Sequence, residues 1–96
     1  MFENHSNRKR YFEEQELNTK KYIIPFLSNH LALNFETSIL EVGCGEGGNL
    51  KPFIELGCKT TGIDLTESKI RNANVFFSNE INNGSVRFIL GNIYHY

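Results

Sequence analysis

Residues 39–48 read ILEVGCGEGG, an apolar segment that ends in closely spaced glycines. The apolar part predicts a buried β-strand over about residues 38–42. Because glycine has no Cβ, the residues that follow can turn tightly and let a ligand approach the backbone. A helix after the turn would direct its first amides at the same space. The stretch therefore predicts a strand, a glycine turn and a helix that together hold a nucleotide-type cofactor.

The segments that follow repeat this pattern of strand and helix. Residues 59–63 and 86–90 predict two more apolar strands, separated by a helical pattern, and Asp64 ends the second strand. Strands connected through helices are parallel, with right-handed crossovers. The sequence therefore predicts an α/β fold, a Rossmann-like parallel sheet (β-α-β-α-β) preceded by N-terminal helices. The carboxyl ends of its strands would bring residues 41–45, Asp64 and Asn92 to one edge, where such sheets bind ligands.

The N-terminal residues carry a weaker helical pattern. Residues 1–7 are polar and predict a frayed terminus. Residues 10–27 predict two helical pieces that meet near Asn18, a candidate N-cap. Pro25 has no amide hydrogen to donate and predicts a kink or a restart of the helix. We therefore expect an interrupted helical segment before the first strand.

The two helices between the strands have recognisable end signals. Asn49 is the predicted N-cap of the first, over residues 50–56, and Gly57 is the predicted residue beyond its C-terminus. Thr66 is the predicted N-cap of the second helix. The buried stripe of that helix is predicted from apolar residues at spacings of three and four, which are Ile70, Ala73, Phe77 and Ile81.

Length and composition are those of one globular domain. The 96-residue chain is 40% hydrophobic and 22% charged, and its net charge of −1 argues against a nucleic-acid partner or a membrane surface. Cys44 and Cys58 lack metal-site spacing, and unpaired cysteines indicate a reduced, cytoplasmic protein. We find no apolar run long enough for a signal peptide or a membrane span. We divide the chain into a helical lead-in, residues 1–36, and a partial cofactor-binding domain, residues 37–96.

The glycine spacing alone leaves the identity of the cofactor open. Gly43, Gly45 and Gly48 satisfy the dinucleotide fingerprint. Asp64 lies where such a fold binds a ribose hydroxyl, so the pattern allows a nicotinamide-dependent oxidoreductase. Glu41 argues against this, because its carboxylate would repel a pyrophosphate beside the turn. A long segment also precedes the first strand, whereas dinucleotide folds open almost at once with theirs.

Three segments resemble, in order and spacing, the motifs of the class I S-adenosylmethionine-dependent methyltransferases. Residues 39–47 (ILEVGCGEG) resemble the first motif of that family, and residues 62–66 (GIDLT) resemble the second. Residues 88–93 (FILGNI) are similar to the segment after the third strand. The resemblance implies a methyltransferase with S-adenosylmethionine as its cofactor and a small molecule as the methyl acceptor.

The resemblance also implies a role for each residue near the turn. Glu41 would interact with the amino group at the methionine end of the cofactor. The backbone of Gly43, Cys44 and Gly45 would pass close to the methionine and the ribose. Asp64 would accept hydrogen bonds from both ribose hydroxyls. A cofactor with a cationic sulfonium and no phosphate suits a site that is acidic.

The adenine end of the cofactor would meet residues after the second and third strands. By the resemblance, the backbone at Leu65 would border the adenine. Asn92 stands where the family commonly has an acid, and its side-chain oxygen would accept the same bond from the adenine amino group. The Ile93 amide would lie beside it. The alternative for Asn92 is a plain turn residue after Gly91.

The resemblance covers only part of the family's fold. The chain supplies three strands of a normally seven-stranded sheet, so we expect a fragment that carries the cofactor half of a methyltransferase. The first strand would then have an open edge, which favours self-association. The open edge also allows a third hypothesis for the function of the chain, a non-catalytic interaction module. Because alignment of the acceptor does most of the work in methyl transfer, we assign no catalytic residue.

Overall fold

A computed structural model describes residues 5–91 of the protein. The predictions for Asn92 and Ile93 lie outside the described residues. The elements, in chain order, are α1 (His5–Asn18), a π-helix (Thr19–Ile23), α2 (Ile24–Ser28), β1 (Ser38–Val42), α3 (Lys51–Glu55), β2 (Lys59–Asp64), α4 (Glu67–Phe76), α5 (Ser78–Asn82) and β3 (Val86–Leu90).

The three strands form one parallel sheet in the order β1-β2-β3. The register pairs Val42 with Ile63, and Asp64 with Leu90, so all three strands end at the same edge. This confirms the predicted α/β, Rossmann-like parallel sheet, and the strand bounds agree with the apolar runs. The glycine turn and Asp64 therefore follow neighbouring strands at one edge.

The hydrophobic core lies between the sheet and the helices that connect its strands. Because side chains alternate along a strand, the register places Ile39 and Phe88 on the same face of the sheet. Both pack against a buried cluster of Cys44, Leu50 and Ile70. Leu50 directly precedes α3 and Ile70 lies in α4, so both connections contribute to this core. The core is thus packed directly against the glycine turn.

The stripe predicted for the second helix is confirmed in its first three members. Ile70, Ala73 and Phe77 are buried. The helix itself ends at Phe76, and Ile81 lies in the short α5 that follows, where it is only half-buried. Phe77 stacks against Phe88 of β3 with ring centroids 5.5 Å apart, which fixes this junction on the sheet.

Strand β1 is less buried than its sequence predicts. Its residues alternate between exposed and half-buried, and Leu40 and Val42 are 57% and 55% exposed. The prediction of a strand covered on both faces is wrong for the part of the chain described. Within residues 5–91, β1 pairs with β2 alone, and the packed helices lie on the face opposite Leu40 and Val42.

The N-terminal helical segment starts earlier and continues more smoothly than predicted. Helix α1 begins at His5, so the predicted fraying is wrong for residues 5–7. Asn18 has helical dihedral angles and makes no capping hydrogen bond, because the chain passes directly into the π-helix. The predicted restart at Pro25 is confirmed: Pro25 occupies the first turn of α2, where a missing amide hydrogen is tolerated.

The predicted helix ends between the strands are partly confirmed. Gly57 follows Leu56, the C-cap of α3, with a φ of 89°, as a residue beyond a C-terminus should. Asn49 does not cap α3, because Leu50 occupies the N-cap position and makes no side-chain hydrogen bond. The Asn49 side chain is instead hydrogen-bonded to Thr19 and Glu41. Thr66 does occupy the N-cap position of α4, with extended backbone but no capping bond from its side chain.

No helix between residues 5 and 91 combines the length and the apolar character that a bilayer span needs.

Candidate functional site

The glycine turn and Asp64 meet at the carboxyl edge of the sheet. The backbone amides of Gly43 and Cys44 both donate to the carbonyl oxygen of Ile63, at 2.7 and 3.1 Å. The amide of Gly45 donates to Oδ2 of Asp64 at 2.9 Å. The turn after β1 is therefore hydrogen-bonded to the end of β2, and the structure brings Gly43, Cys44, Gly45 and Asp64 together as the sequence predicts.

Asp64 also organises the backbone on its other side. Its Oδ1 accepts a hydrogen bond from the Thr66 amide at 2.8 Å. Burial alone would raise the pKa of Asp64, but the amides of Thr66 and Gly45 hold that pKa below its usual value, with help from Lys69. Asp64 is therefore ionised at neutral pH. Each carboxylate oxygen keeps a second lone pair with which to accept a bond from a ligand.

Open space borders the first two glycines of the turn. Gly43 has a φ of 75°, and a Cβ built there would meet no atom of residues 5–91 within 4 Å. Of the same residues, a Cβ on Gly45 would meet only the Lys69 side chain, at 4.0 Å. Gly47 and Gly48 differ, because a Cβ there would lie 2.8 Å from Phe77 and 2.7 Å from Gln15. Gly47 and Gly48 therefore allow close packing of their neighbours, whereas the first two glycines leave room for a ligand.

Glu41 has one carboxylate oxygen that the described part of the chain leaves without a hydrogen bond. Its Oε2 accepts a hydrogen bond from Nδ2 of Asn49 at 3.0 Å. Its Oε1 is buried and has no hydrogen-bond partner among residues 5–91. Burial raises the pKa of Glu41, the Asn49 hydrogen bond opposes the rise and the Asp64 carboxylate adds to it. A buried carboxylate oxygen without a partner is costly, and a cationic donor would relieve that cost.

Cys44 contributes to the site through its backbone only. Its side chain is fully buried, and a Cβ built on Gly62 would lie 2.6 Å from the Cys44 sulfur. Burial raises the pKa of the Cys44 thiol to about 12, with Asp64 and Glu41 adding to the rise. The thiol is not ionised at neutral pH, so Cys44 is a small spacer and not a nucleophile.

The side chain of Leu65, between Asp64 and α4, presents an apolar surface to solvent. Leu65 is 70% exposed although it follows directly on the end of β2. An aromatic residue in a helix is more often a core residue than a lid over a cofactor, which predicts a core position for Tyr11; the side chain is 57% exposed, so that prediction is wrong. Helix α1 crosses the glycine turn and places Tyr11 beside a small cleft that Gly45 and Lys69 also line.

Several contacts between the N-terminal segment and the turn were not predicted from the sequence. Glu46, within the turn, accepts hydrogen bonds from Nε of Arg8 at 3.1 Å and from Asn72. Thr19 of the π-helix donates to Asn49 at 2.8 Å. These partners are far apart in the chain, and no local pattern marks them.

A family model described as a methyltransferase domain matches residues 39–96. The chain belongs to this methyltransferase family. The matched residues begin in β1 and include the glycine turn, Glu41 and Asp64. No match was found among curated proteins.

Solved methyltransferase structures share the fold of this family member. The S-adenosylmethionine-dependent methyltransferase of Thiobacillus denitrificans, in complex with S-adenosyl-L-homocysteine, is 29% identical, with a TM-score of 0.59 over 75% of this chain and 29% of that one. An RNA methyltransferase from Salinibacter ruber, also with S-adenosyl-L-homocysteine, is 14% identical, with a TM-score of 0.63 over 79% of this chain and 50% of that one. Geranyl diphosphate C-methyltransferase from Streptomyces coelicolor is 23% identical, with a TM-score of 0.56 over 71% of this chain and 25% of that one. The last two likenesses support the fold alone, and the chain spans half or less of the length of each protein.

Proposed function

We propose that this chain is the S-adenosylmethionine-binding portion of a methyltransferase that acts on a small-molecule acceptor. The observation that carries the proposal is the buried Oε1 of Glu41, which has no hydrogen-bond partner within residues 5–91, beside an open glycine turn and an ionised Asp64. These three features meet at one edge of a parallel sheet in a member of a methyltransferase family.

The residues of the site fit this cofactor in charge and in shape. The amino group of the methionine end is a cationic donor, which matches the free acceptor on Glu41. The two oxygens of Asp64 match the two ribose hydroxyls, and the exposed Leu65 offers an apolar surface to the adenine. The space beside Gly43 accommodates the chain that joins them. A contact of Asn92 and Ile93 with the adenine remains a prediction.

Glu41 beside the turn favours this cofactor over a dinucleotide. A pyrophosphate at the turn would lie close to the Glu41 carboxylate, and Coulomb repulsion would oppose its binding. The match to a methyltransferase family points in the same direction. If the chain were part of a nicotinamide-dependent oxidoreductase, the fluorescence of the reduced cofactor would rise on mixing with the protein.

Methyl transfer requires binding and orientation of the cofactor from this part of the protein, and we assign it no catalytic residue. The bound cofactor supplies an activated methyl group on its sulfonium, and we infer that the methyl passes in line to the acceptor. The residues of this chain bind and orient the cofactor, which lowers the entropic part of the barrier. We assign the acceptor to the small molecules because a chain of net charge −1 has no bulk attraction for a nucleic acid.

Calorimetric titration with S-adenosyl-L-homocysteine tests the proposal directly. We expect saturable heat and a rise in the thermal midpoint of unfolding, since a ligand that binds only the folded state stabilises it. If a demonstrably folded sample shows neither effect at millimolar ligand, the proposed function is wrong.

We expect the affinity for S-adenosyl-L-homocysteine to rise with pH. Burial raises the pKa of Glu41 above the ordinary value of a glutamate, so its carboxylate forms over a pH window that begins above that ordinary value. The pKa of Asp64 is lowered, so this second carboxylate is already ionised throughout the window. The ionised Glu41 attracts the ligand's ammonium group, whereas the protonated form does not. Calorimetry at a series of pH values measures this dependence.

Glu41→Gln is the control for this pH dependence. The variant should bind more weakly at neutral pH, and its affinity should stay flat across the same window. Without ligand, the folded protein holds the Glu41 proton more tightly than the unfolded chain does, so the free energy of unfolding should fall as the pH rises through the window. An unchanged pH dependence in Glu41→Gln would assign the effect to another group.

The edge of β1 is the basis for a proposed self-association. Among residues 5–91, one side of β1 lacks a neighbouring strand, and Leu40 and Val42 on the uncovered face are more than half exposed. Sedimentation at increasing concentration should show a dimer, whereas a clean monomer would remove this proposal.

A cytoplasmic location stays a prediction from the free cysteines Cys44 and Cys58.

A further inference from the structure

Three side chains connect the π-helix to the site through hydrogen bonds. Thr19 opens the π-helix and is 3% exposed. Its hydroxyl Oγ1 donates to Oδ1 of Asn49 at 2.8 Å, and Nδ2 of Asn49 donates to Oε2 of Glu41 at 3.0 Å. The path therefore runs from the N-terminal segment, through the residue after the glycine turn, to a strand of the sheet.

The order of donors and acceptors along this path is fixed by chemistry. A carboxylate only accepts hydrogen bonds, so the amide nitrogen of Asn49 must face Glu41. Its carbonyl oxygen must then face Thr19, whose hydroxyl can donate. With Oε2 of Glu41 held in this way, the carboxylate keeps one orientation, and Oε1 remains as the acceptor that no described residue occupies.

Further contacts fix the position of the N-terminal segment against the glycine turn and α3. Nε of Arg8 lies 3.1 Å from the Glu46 carboxylate, and Nζ of Lys51 lies 2.7 Å from that of Glu16. A Cβ on Gly48 would lie 2.8 Å from the carbonyl oxygen of Phe12, so α1 packs closely on the turn. These contacts keep Thr19 opposite Asn49.

We propose that Thr19 and Asn49 are positioning residues that hold the Glu41 carboxylate toward the methionine end of the cofactor. The inference rests on the proposed function and deepens it, since it makes the N-terminal helical segment a part of the cofactor site. Loss of the Thr19 hydroxyl frees the Asn49 amide to rotate, and the Glu41 carboxylate then loses its fixed orientation. The ribose and adenine contacts do not depend on this path.

Two ligands separate positioning from general stability. S-adenosyl-L-homocysteine carries the amino-acid end, and 5′-methylthioadenosine lacks it. Thr19→Val keeps the shape of the side chain and removes the hydroxyl. It should weaken binding of S-adenosyl-L-homocysteine by about 2- to 10-fold, the scale of one hydrogen bond, and leave 5′-methylthioadenosine unchanged. Thr19→Ser should restore the affinity of the wild type.

Thr61→Val is a matched control, because Thr61 lies on the opposite face of the sheet from Glu41. It should alter neither affinity. If Thr19→Val does not fold, Asn49→Gln is compared in the same way. Equal affinities of Thr19→Val and the wild type for S-adenosyl-L-homocysteine would overturn the inference, as would equal losses for both ligands. Failure of the wild type itself to bind S-adenosyl-L-homocysteine would instead overturn the proposed function, and this inference with it.

Discussion

Asp64→Ala is expected to lower the affinity for S-adenosyl-L-homocysteine by about 10- to 150-fold. This range corresponds to about 1.5–3 kcal/mol, the usual value of hydrogen bonds to a charged group. The substitution removes the acceptor for the ribose hydroxyls and also frees the amides of Gly45 and Thr66, which donate to the carboxylate at 2.9 and 2.8 Å. Calorimetric titration of the folded variant measures the loss.

A ligand without ribose hydroxyls separates the two effects of Asp64→Ala. The 2′,3′-dideoxy form of S-adenosyl-L-homocysteine should bind the wild type about as weakly as the full ligand binds the variant. Asp64→Ala should bind the two ligands with nearly equal affinity, because the variant lacks the carboxylate that would accept hydrogen bonds from the ribose hydroxyls. Glu67→Gln removes an exposed carboxylate nearby and should change nothing. A variant that still prefers the full ligand would show that Asp64 does not bind the ribose.

Gly43→Ala is expected to weaken binding by about 10- to 100-fold while the protein stays folded. The new methyl group would enter space that is open without ligand and filled with it, and overpacking by one methyl costs about 1–3 kcal/mol. The left-handed backbone, with a φ of 75°, adds a loss of roughly 1–2 kcal/mol in the free energy of unfolding. Calorimetry and thermal unfolding measure the two quantities separately.

Gly84→Ala is the matched control for Gly43→Ala. Gly84 has a φ of 84°, and a Cβ there would also meet no atom within 4 Å. Gly84 lies in the turn before β3, at the opposite end of the sheet from the site. Both variants should lose similar stability, but only Gly43→Ala should lose affinity. Equal affinities in the two variants would show that the space beside Gly43 is not where the ligand binds.

The sheet could be predicted from the sequence because its signals are local. The apolar runs of β1 and β3, Gly57 beyond α3 and the helical spacing of Ile70, Ala73 and Phe77 each depend on neighbouring residues. The order of strands and helices then decides which ends meet, so the approach of Asp64 to the glycine turn follows from topology. This is why the two central parts of the site could be placed without coordinates.

The contacts of the N-terminal segment could not be predicted, because they join residues far apart in the chain. Asparagine is a preferred N-cap residue, so its position before a helical segment predicts that Asn49 caps α3. In the structure, two distant partners, Thr19 and Glu41, take its side chain instead. The π-helix likewise leaves no clear pattern among polar residues. The exposure of β1 was missed because an apolar strand does not reveal which of its faces is covered.

The central claim is that Glu41, the glycine turn and Asp64 bind one ligand at the carboxyl edge of the sheet. Mapping backbone amide chemical shifts during titration with S-adenosyl-L-homocysteine tests it most directly. The account predicts the largest changes at Gly43, Gly45 and Leu65, with saturation at one common affinity. Changes confined to the 370 Å³ cavity between α1 and α4, which Arg8, Phe12 and Phe76 line, would contradict it.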